Sequence, residues 1–500
     1  MDYNSEFYNA CSNGHLEVAK QLVESYPQIN ISANDDYAFR SSCSKGYLEV
    51  AKWLVESYPQ INVYVLDDFA FRDACGCGHL KVAKWLVDSY PQINISAGNN
   101  FAFRLACSNG HLEVSKWLVE SYPQINISAC DNDAFRCACM YGHLEVAKWL
   151  VESYPQINIS AGNNFAFRFA CSRGHLKVAK WLVESYPQIN ITYDNEAFRY
   201  ACWYGHLEVV KWLVESYPQI NISANDNDAF RGACMYGHLE VAKWLVESYP
   251  QINISAGNNF AFRLACSRGH LEVAKWLVES YPQINISACN NDAFRDACSR
   301  GHLEVAKWLV ESYPQINISV GDDYAFQIAC SNGQLEVAKW LVESYPQINV
   351  SANNDRVFRD ACEYGHLEVA KWLVNSYSQI NVSAEDNEVF RYTCANGHLE
   401  VAKWLVESYP QINVSADNDY AFRYTCQHGH LEVAKWLIHT YPQINISAKN
   451  DIAFRSACSY RHIEVAKWLV QIRPYCYELE LDQSQTRILS RKIRSIEETR

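Results

Sequence analysis

Three kinds of side chain recur along these 500 residues at a spacing regular enough to suggest chemistry. Histidine holds one register position thirteen times, from His15 to His462. A row of imidazoles invites a metal, but the ligands of one ion must all lie within ~2.1 Å of it. Histidines a whole period apart cannot meet that demand, so they are expected to bond backbone at the start of a helix. Arginine holds a second position thirteen times, from Arg40 to Arg455. Such a stripe could bind phosphates; it is expected instead to pair with the acidic turn residues beside it or with loop carbonyls. Cysteine fills a third position fifteen times, from Cys11 to Cys458, out of twenty in the chain. Equivalent cysteines one period apart lie beyond the ~7 Å Cα separation that a disulfide tolerates. They read as reduced, buried packing residues, and Cys77, Cys130, Cys137, Cys289 and Cys476 share no spacing.

Other patterns carry less. Triplets such as Asp226-Asn227-Asp228 hint at calcium, yet the calcium loop needs a Gly at its sixth place and a Glu at its twelfth, and Phe and Arg follow instead. Asn30-Ile31-Ser32 fits a glycosylation acceptor and recurs many times, a by-product of repetition in a chain with no leading secretory signal. No nucleophile with a matched base, no phosphate loop and no paired carboxylates occur. The sequence therefore predicts a protein that is not an enzyme and needs no cofactor or metal.

These rows are set by one sentence of residues. It begins Gly14-His15-Leu16-Glu17-Val18-Ala19-Lys20 and returns at Gly46, Gly78 and onward to Gly429, then once more at Arg461. Every step is 32 residues except the 31 between Gly174 and Gly205. A fixed period of this size means stacked repeats. With the Gly as position 1, positions 2 to 12 predict a helix whose apolar residues fall on one arc at 100° per residue, with Glu and Lys opposite. Tyr-Pro ends it, as at Tyr26-Pro27, because the residue before Pro avoids the α region. Ile-Asn-Ile-Ser then reads as extended chain. Positions 21 to 23 are rich in Asn, Asp and Gly, which is turn chemistry and could cap the next helix. A shorter helix follows, as at Tyr37 to Cys43, with Phe39 and Cys43 facing inward together. The Gly of the next unit ends it in a left-handed conformation. Trp at position 8, from Trp53 to Trp468, falls at the seam between neighbouring helices of this second kind.

A unit of about 32 residues built as turn, helix, turn, helix resembles the ankyrin repeat. The matching residues are Gly-His-Leu-Glu-Val at positions 1 to 5, Ala-Cys before the Gly, and Ile-Asn after the second helix. Tyr37-Ala38-Phe39-Arg40 stands where that family has Thr-Pro-Leu-His, and Tyr26 where it has Gly. The resemblance spans roughly residues 5 to 471. The variant with Ala-Phe-Arg and Glu-Val-Ala-Lys-Trp-Leu looks like the ankyrin proteins of large DNA viruses that infect amoebae. The resemblance implies an all-α ankyrin-repeat solenoid of helix-turn-helix units joined by short hairpin-like loops. It also implies a protein-protein interaction scaffold, with a ligase adaptor for ubiquitin transfer as the alternative.

The domain reading follows. Residues 1–13 hold a partial repeat, 14–471 an array of about 14–15 repeats, and 472–500 a charged tail or a short amphipathic cap containing Ile488, Leu489, Ile493 and Ile496. A net charge of -13 disfavours nucleic acid and anionic membranes as partners. No apolar run reaches transmembrane length. A monomer inside the cell, in the cytoplasm of a host, with a protein partner, is the expectation.

One surface varies while the framework does not. Residues 131–174 and 226–269 are identical except for Cys137 against Gly232 and Phe169 against Leu264, both at position 28. Positions 24, 28, 31 and 32 are expected to face outward from the first helix. In the central stretch they hold large side chains: Phe101 with Leu105, Met140 with Tyr141, and Phe165 with Phe169. The same positions further on hold Tyr200 with Trp203 and Tyr204, Met235 with Tyr236, and Phe260 with Leu264. These are the candidate partner-binding residues, and the missing residue of the short repeat is expected in the turn 192–196.

Overall fold

The computed structural model describes residues 2–189, 191, 195–473, 477–481 and 488–492. Along these residues run thirty helices in fifteen pairs, then strands β1 (Tyr477–Leu481) and β2 (Ile488–Lys492). They fall into two compact units, Met1–Ile254 and Ser255–Arg500. Within each unit the first helix of a pair packs closely on the first helices of its neighbours, while second helices touch one another much less. Among the described residues no helix is long and apolar enough to cross a membrane.

The second helix of each pair is amphipathic as its period requires. In Leu48–Ser57, Val50, Ala51 and Leu54 are buried. Glu49 and Lys52 meet at 3.6 Å on the solvent side, a pair worth only a few tenths of a kcal/mol. Tyr58 N–H closes the last turn on Leu54 O, and Pro59 follows. Its tryptophan, Trp53, is half-buried and meets Tyr58 edge-on at 5.6 Å, a contact repeated in later pairs. The first helices supply the core row: Phe39 and Cys43 are fully buried, as are Phe103 with Cys107 and Phe262 with Cys266 to within 1%. Truncating such a Phe to Ala costs about 3–5 kcal/mol.

The turn before each first helix departs from a hairpin. Asn34, Asp35 and Asp36 have φ of 54°, 55° and 58°, three left-handed residues in succession, and no strand pairing crosses the described turns. Gly, Asn and Asp tolerate this backbone best; Leu66 and Lys449 adopt it at a cost of ~1–2 kcal/mol each. The arginine row holds the turn in place. Arg40 Nε donates to Asp35 O at 2.6 Å and Nη2 to Asn34 O at 2.9 Å. Arg423 does the same with Asn418 and Asp417, and is only 4% exposed. Both roles expected for these arginines are seen, since several also pair with acidic residues, as Arg199 does with Asp228 and Arg359 with Glu388.

Two expectations about this loop need correction. The Asp at position 23 does not cap its own helix: Asp36 Oδ1 makes no hydrogen bond among the described residues. Its buried side chain reaches the next repeat instead: Asp36 Oδ2 accepts from Asn62 N–H at 3.0 Å, and Asp68 Oδ2 from Asn94 N–H at 2.9 Å. The Ile-Asn-Ile-Ser segment is a turn rather than extended chain: in Ile93-Asn94-Ile95-Ser96, Asn94 Oδ1 accepts from Ser96 N–H at 3.2 Å.

The histidines also bond elsewhere than expected. His302 Nε2 lies 3.1 Å from the Ser267 carbonyl, at the end of the preceding pair's first helix rather than at the start of its own. The ring lies against the Gly of the preceding repeat. A Cβ on Gly46, whose φ is +81°, would be 2.5 Å from His79 Nδ1. That Gly is required twice, by backbone and by the ring. Arg461 keeps the left-handed φ, 65°, in the final pair, where no later histidine packs.

Beyond Ile472, β1 and β2 pair antiparallel, Tyr477 opposite Lys492 and Leu481 opposite Ile488. The described residues from Tyr477 onward thus form a two-stranded ribbon. Ile493 and Ile496 lie outside the described residues, as do 192–194, within the turn assigned the missing residue.

Candidate functional site: an aromatic cavity at the short repeat

Positions 28 and 31 face neighbouring repeats as well as solvent. Residue 31 of one first helix meets residue 28 of the next. Ser41 donates to Ser12 Oγ at 2.7 Å across this contact. Leu105 fills the space above Gly76, where a Cβ would lie 2.3 Å from Leu105 Cδ2. Trp203 lies over Gly232, where a Cβ would lie 1.8 Å from Trp203 Cδ1.

The thirteen candidate residues therefore divide. Phe101, Tyr141, Tyr204 and Tyr236 are exposed. Leu105, Met140, Phe165, Phe169, Tyr200, Trp203, Met235, Phe260 and Leu264 are half-buried. Phe101 sits between the guanidinium groups of Arg72 and Arg104, at 5.6 and 5.4 Å from its ring centroid. Phe165 stacks on Phe169 at 4.0 Å, with Arg136 4.8 Å from the Phe165 centroid. Phe260 and Leu264 belong to the second unit, and Arg263 lies 5.4 Å from the Phe260 ring.

Four of the candidates come together in the first unit. Phe169, Tyr200, Trp203 and Tyr204 line a cavity of about 690 Å³ with Arg168, Ser172, Arg173 and His206. Its walls are the first helices Ala161–Ser172 and Glu196–Trp203, which end just before Gly174 and Gly205, the bounds of the one repeat step of 31 residues. Trp203 is pinned from two sides. Its Nε1–H donates to Asp228 O at 3.1 Å, and Tyr200 meets it edge-on at 5.4 Å. Exposed Tyr204 stacks on exposed Tyr236 at 6.4 Å. Sequence reasoning found these aromatics by their spacing but missed Arg173, Ser172 and His206, because their role depends on the neighbouring repeat.

The duplication adds an independent pointer. Only two positions distinguish the copies 131–174 and 226–269, and one residue of each pair, Phe169 and Gly232, lies in this cavity or against its Trp203 wall. Phe169 lines it. Gly232 is the residue that makes room for Trp203, and a Cys there would collide with the indole.

The charges in the cavity are unequal. Arg168 is committed: it pairs with Glu196 and donates to the carbonyls of Asn163 and Gly162, both at 2.9 Å. Arg173 is exposed, lies 5.5 Å from the Tyr141 centroid, and has no carboxylate partner among the described residues. Burial holds His206 below the usual imidazole range, partly offset by its hydrogen bond to the Ser172 backbone, so it is neutral at pH 7. Among the described residues the lining holds no carboxylate. Among the described residues no group of His, Cys, Asp and Glu is arranged to hold a metal.

The ankyrin repeat domain of human ASB11 matches 36% of this chain and 82% of its own at 19% identity, with a TM-score of 0.29. The pentatricopeptide repeat protein PPR10 from maize matches 95% of this chain and 73% of its own at 12% identity, with a TM-score of 0.32. Superpositions this loose carry no functional argument. No curated protein matches the chain. The family model described as ankyrin repeats (3 copies) matches residues 71–163, 230–322, 294–386 and 390–478, and a second, ankyrin repeats (many copies), matches 167–214. These segments cover well over half of the sequence and coincide with the paired helices, so the chain belongs to the ankyrin-repeat family.

Proposed function

We propose that this chain is a protein-interaction scaffold whose partner docks on the first-helix face of the first unit, centred on the cavity at the short repeat. The observation that supports this most is the group of exposed aromatics, Tyr141, Tyr204 and Tyr236, around half-buried Trp203. Rigid aromatic side chains beside a desolvated pocket are the residues that dominate interface energies. On the resemblance to viral ankyrin proteins, the partner in this reading is a host or a viral protein. A ligase adaptor acting through 472–500 finds no support among the described residues there, which form β1 and β2.

The test uses the exposed side chains. Phe169 and Trp203 pack between repeats, so truncating them would confound binding with stability. Tyr204→Ala and Tyr236→Ala remove surface area that the core does not use. Each should cost ~2–4 kcal/mol in partner binding while leaving thermal unfolding nearly unchanged. The partner is identified by capture from host lysate with the wild-type chain and mass spectrometry. Equal capture by the double variant would place the site elsewhere.

A further inference from the structure

We infer that the cavity at the short repeat is a receptor for an anionic side chain of an extended peptide segment, with Arg173 as its counter-ion and Trp203 and Tyr204 as its apolar walls. This rests on the scaffold reading above and specifies the chemistry of the partner.

The inference follows from what is already committed in the cavity. Arg168 is consumed by Glu196 and two carbonyls, and Asp228 by Arg199 at 2.8 Å. His206 is held neutral. What remains is one exposed guanidinium beside aromatic faces, with no carboxylate among the described residues of the lining. A basic or neutral ligand would leave Arg173 without an anionic partner in the complex. A carboxylate or a phosphate would meet it through charge-assisted hydrogen bonds. The aromatic walls would take the residue adjacent to the anion in the peptide.

The net charge of -13 opposes an acidic partner at long range. Salt decides between the two effects. At physiological ionic strength charges beyond ~8 Å are screened, so Arg173 at contact distance outweighs the surplus acid elsewhere. Much of that acid lies on second helices, such as Glu145 at the start of Leu144–Ser153. The same screening makes the interaction depend on salt mainly through the contact pair.

A displayed library of random dodecapeptides, selected on the full chain, supplies the probe. Selected sequences should carry Asp or Glu next to an aromatic or large aliphatic residue. Their Kd should rise about tenfold or more in Arg173→Glu and when the peptide's acid is replaced by its amide, with the two changes non-additive. Arg300→Glu, at the same register position in the second unit, should leave binding unchanged. Replacing the acid by phosphoserine separates the two anions: tighter binding assigns the site to phosphopeptides, weaker binding to carboxylates. Arg173→Glu removes an exposed side chain at a helix end, so melting should hold. Selection of basic or uncharged peptides overturns the proposal, as does selection of none, or acidic peptides indifferent to Arg173→Glu. Peptides that survive Arg173→Glu but are lost in the Tyr204→Ala, Tyr236→Ala variant would remove the anion site while leaving the scaffold reading standing.

Discussion

Gly232→Ala should destabilise its helix, against the ordinary preference for Ala. Inside a helix, Ala is favoured over Gly by about 0.5–1 kcal/mol. At this position a Cβ would lie 1.8 Å from Trp203 Cδ1 and 2.1 Å from Nε1, so the indole must move. Moving it loses the bond to Asp228 O and the contact with Tyr200. Overpacking of this kind costs ~1–3 kcal/mol. The net effect in the wild-type background is a loss of roughly 1–2 kcal/mol. In a Trp203→Ser background, where the position holds the serine most other repeats carry, Gly232→Ala should stabilise by about 0.5–1 kcal/mol. The sign reverses, and the coupling between the two sites is ~2 kcal/mol. An array of repeats need not unfold in one step, so a melting curve, which reports gross loss of stability, would dilute an effect confined to one helix. Hydrogen exchange of the Ala224–Met235 amides reads the local opening, tenfold in rate for every ~1.4 kcal/mol. Equal stabilisation in both backgrounds would refute the idea that Trp203 determines the residue at 232.

Three further outcomes follow from the same geometry. Arg461→Gly should stabilise the last pair by ~1 kcal/mol, since the left-handed strain is relieved and no ring rests there, whereas Gly46→Ala meets both the strain and His79 and should lose ~2 kcal/mol or more, each read by hydrogen exchange. The histidine row makes the fold acid-sensitive. Burial lowers His79, His111, His143, His175 and His238, and like-charged neighbours add to it in the case of His175. A lowered folded-state pKa means that the unfolded chain takes the proton first. Stability should therefore be full above the ordinary value near 6.5 and fall as pH drops through it, levelling off below the folded-state values; a denaturation midpoint flat between pH 7 and pH 5 would count against this. The buried thiols should alkylate slowly in the native chain, Cys11 and Cys107 being pushed up to about 12 by burial, while exposed Cys77, Cys130 and Cys289 react at once. Denaturant should equalise the rates, and equal native rates would show the core row to be open.

The sequence by itself determined the period, the two helices of each pair, the core row of Phe and Cys, and the turn at positions 21 to 23. All of these rest on periodicity and local backbone preference, which operate within one repeat. Phe39 and Cys43 are four residues apart and must share a helix face, and Asn34, Asp35 and Asp36 tolerate a left-handed turn wherever they occur. The tertiary structure alone decided what the remaining polar and aromatic residues do. Asp36 bonds Asn62 at a separation of 26 residues, and His302 bonds Ser267 at 35. Such contacts depend on how far one repeat is shifted and rotated on the next, which no local pattern encodes. Trp203 shows the limit most clearly. Its spacing marked it as a surface aromatic, and the difference between Cys137 and Gly232 marked position 28 as variable. Only the stacking of the two helices brings the indole over that glycine and turns two separate sequence features into the wall of one cavity.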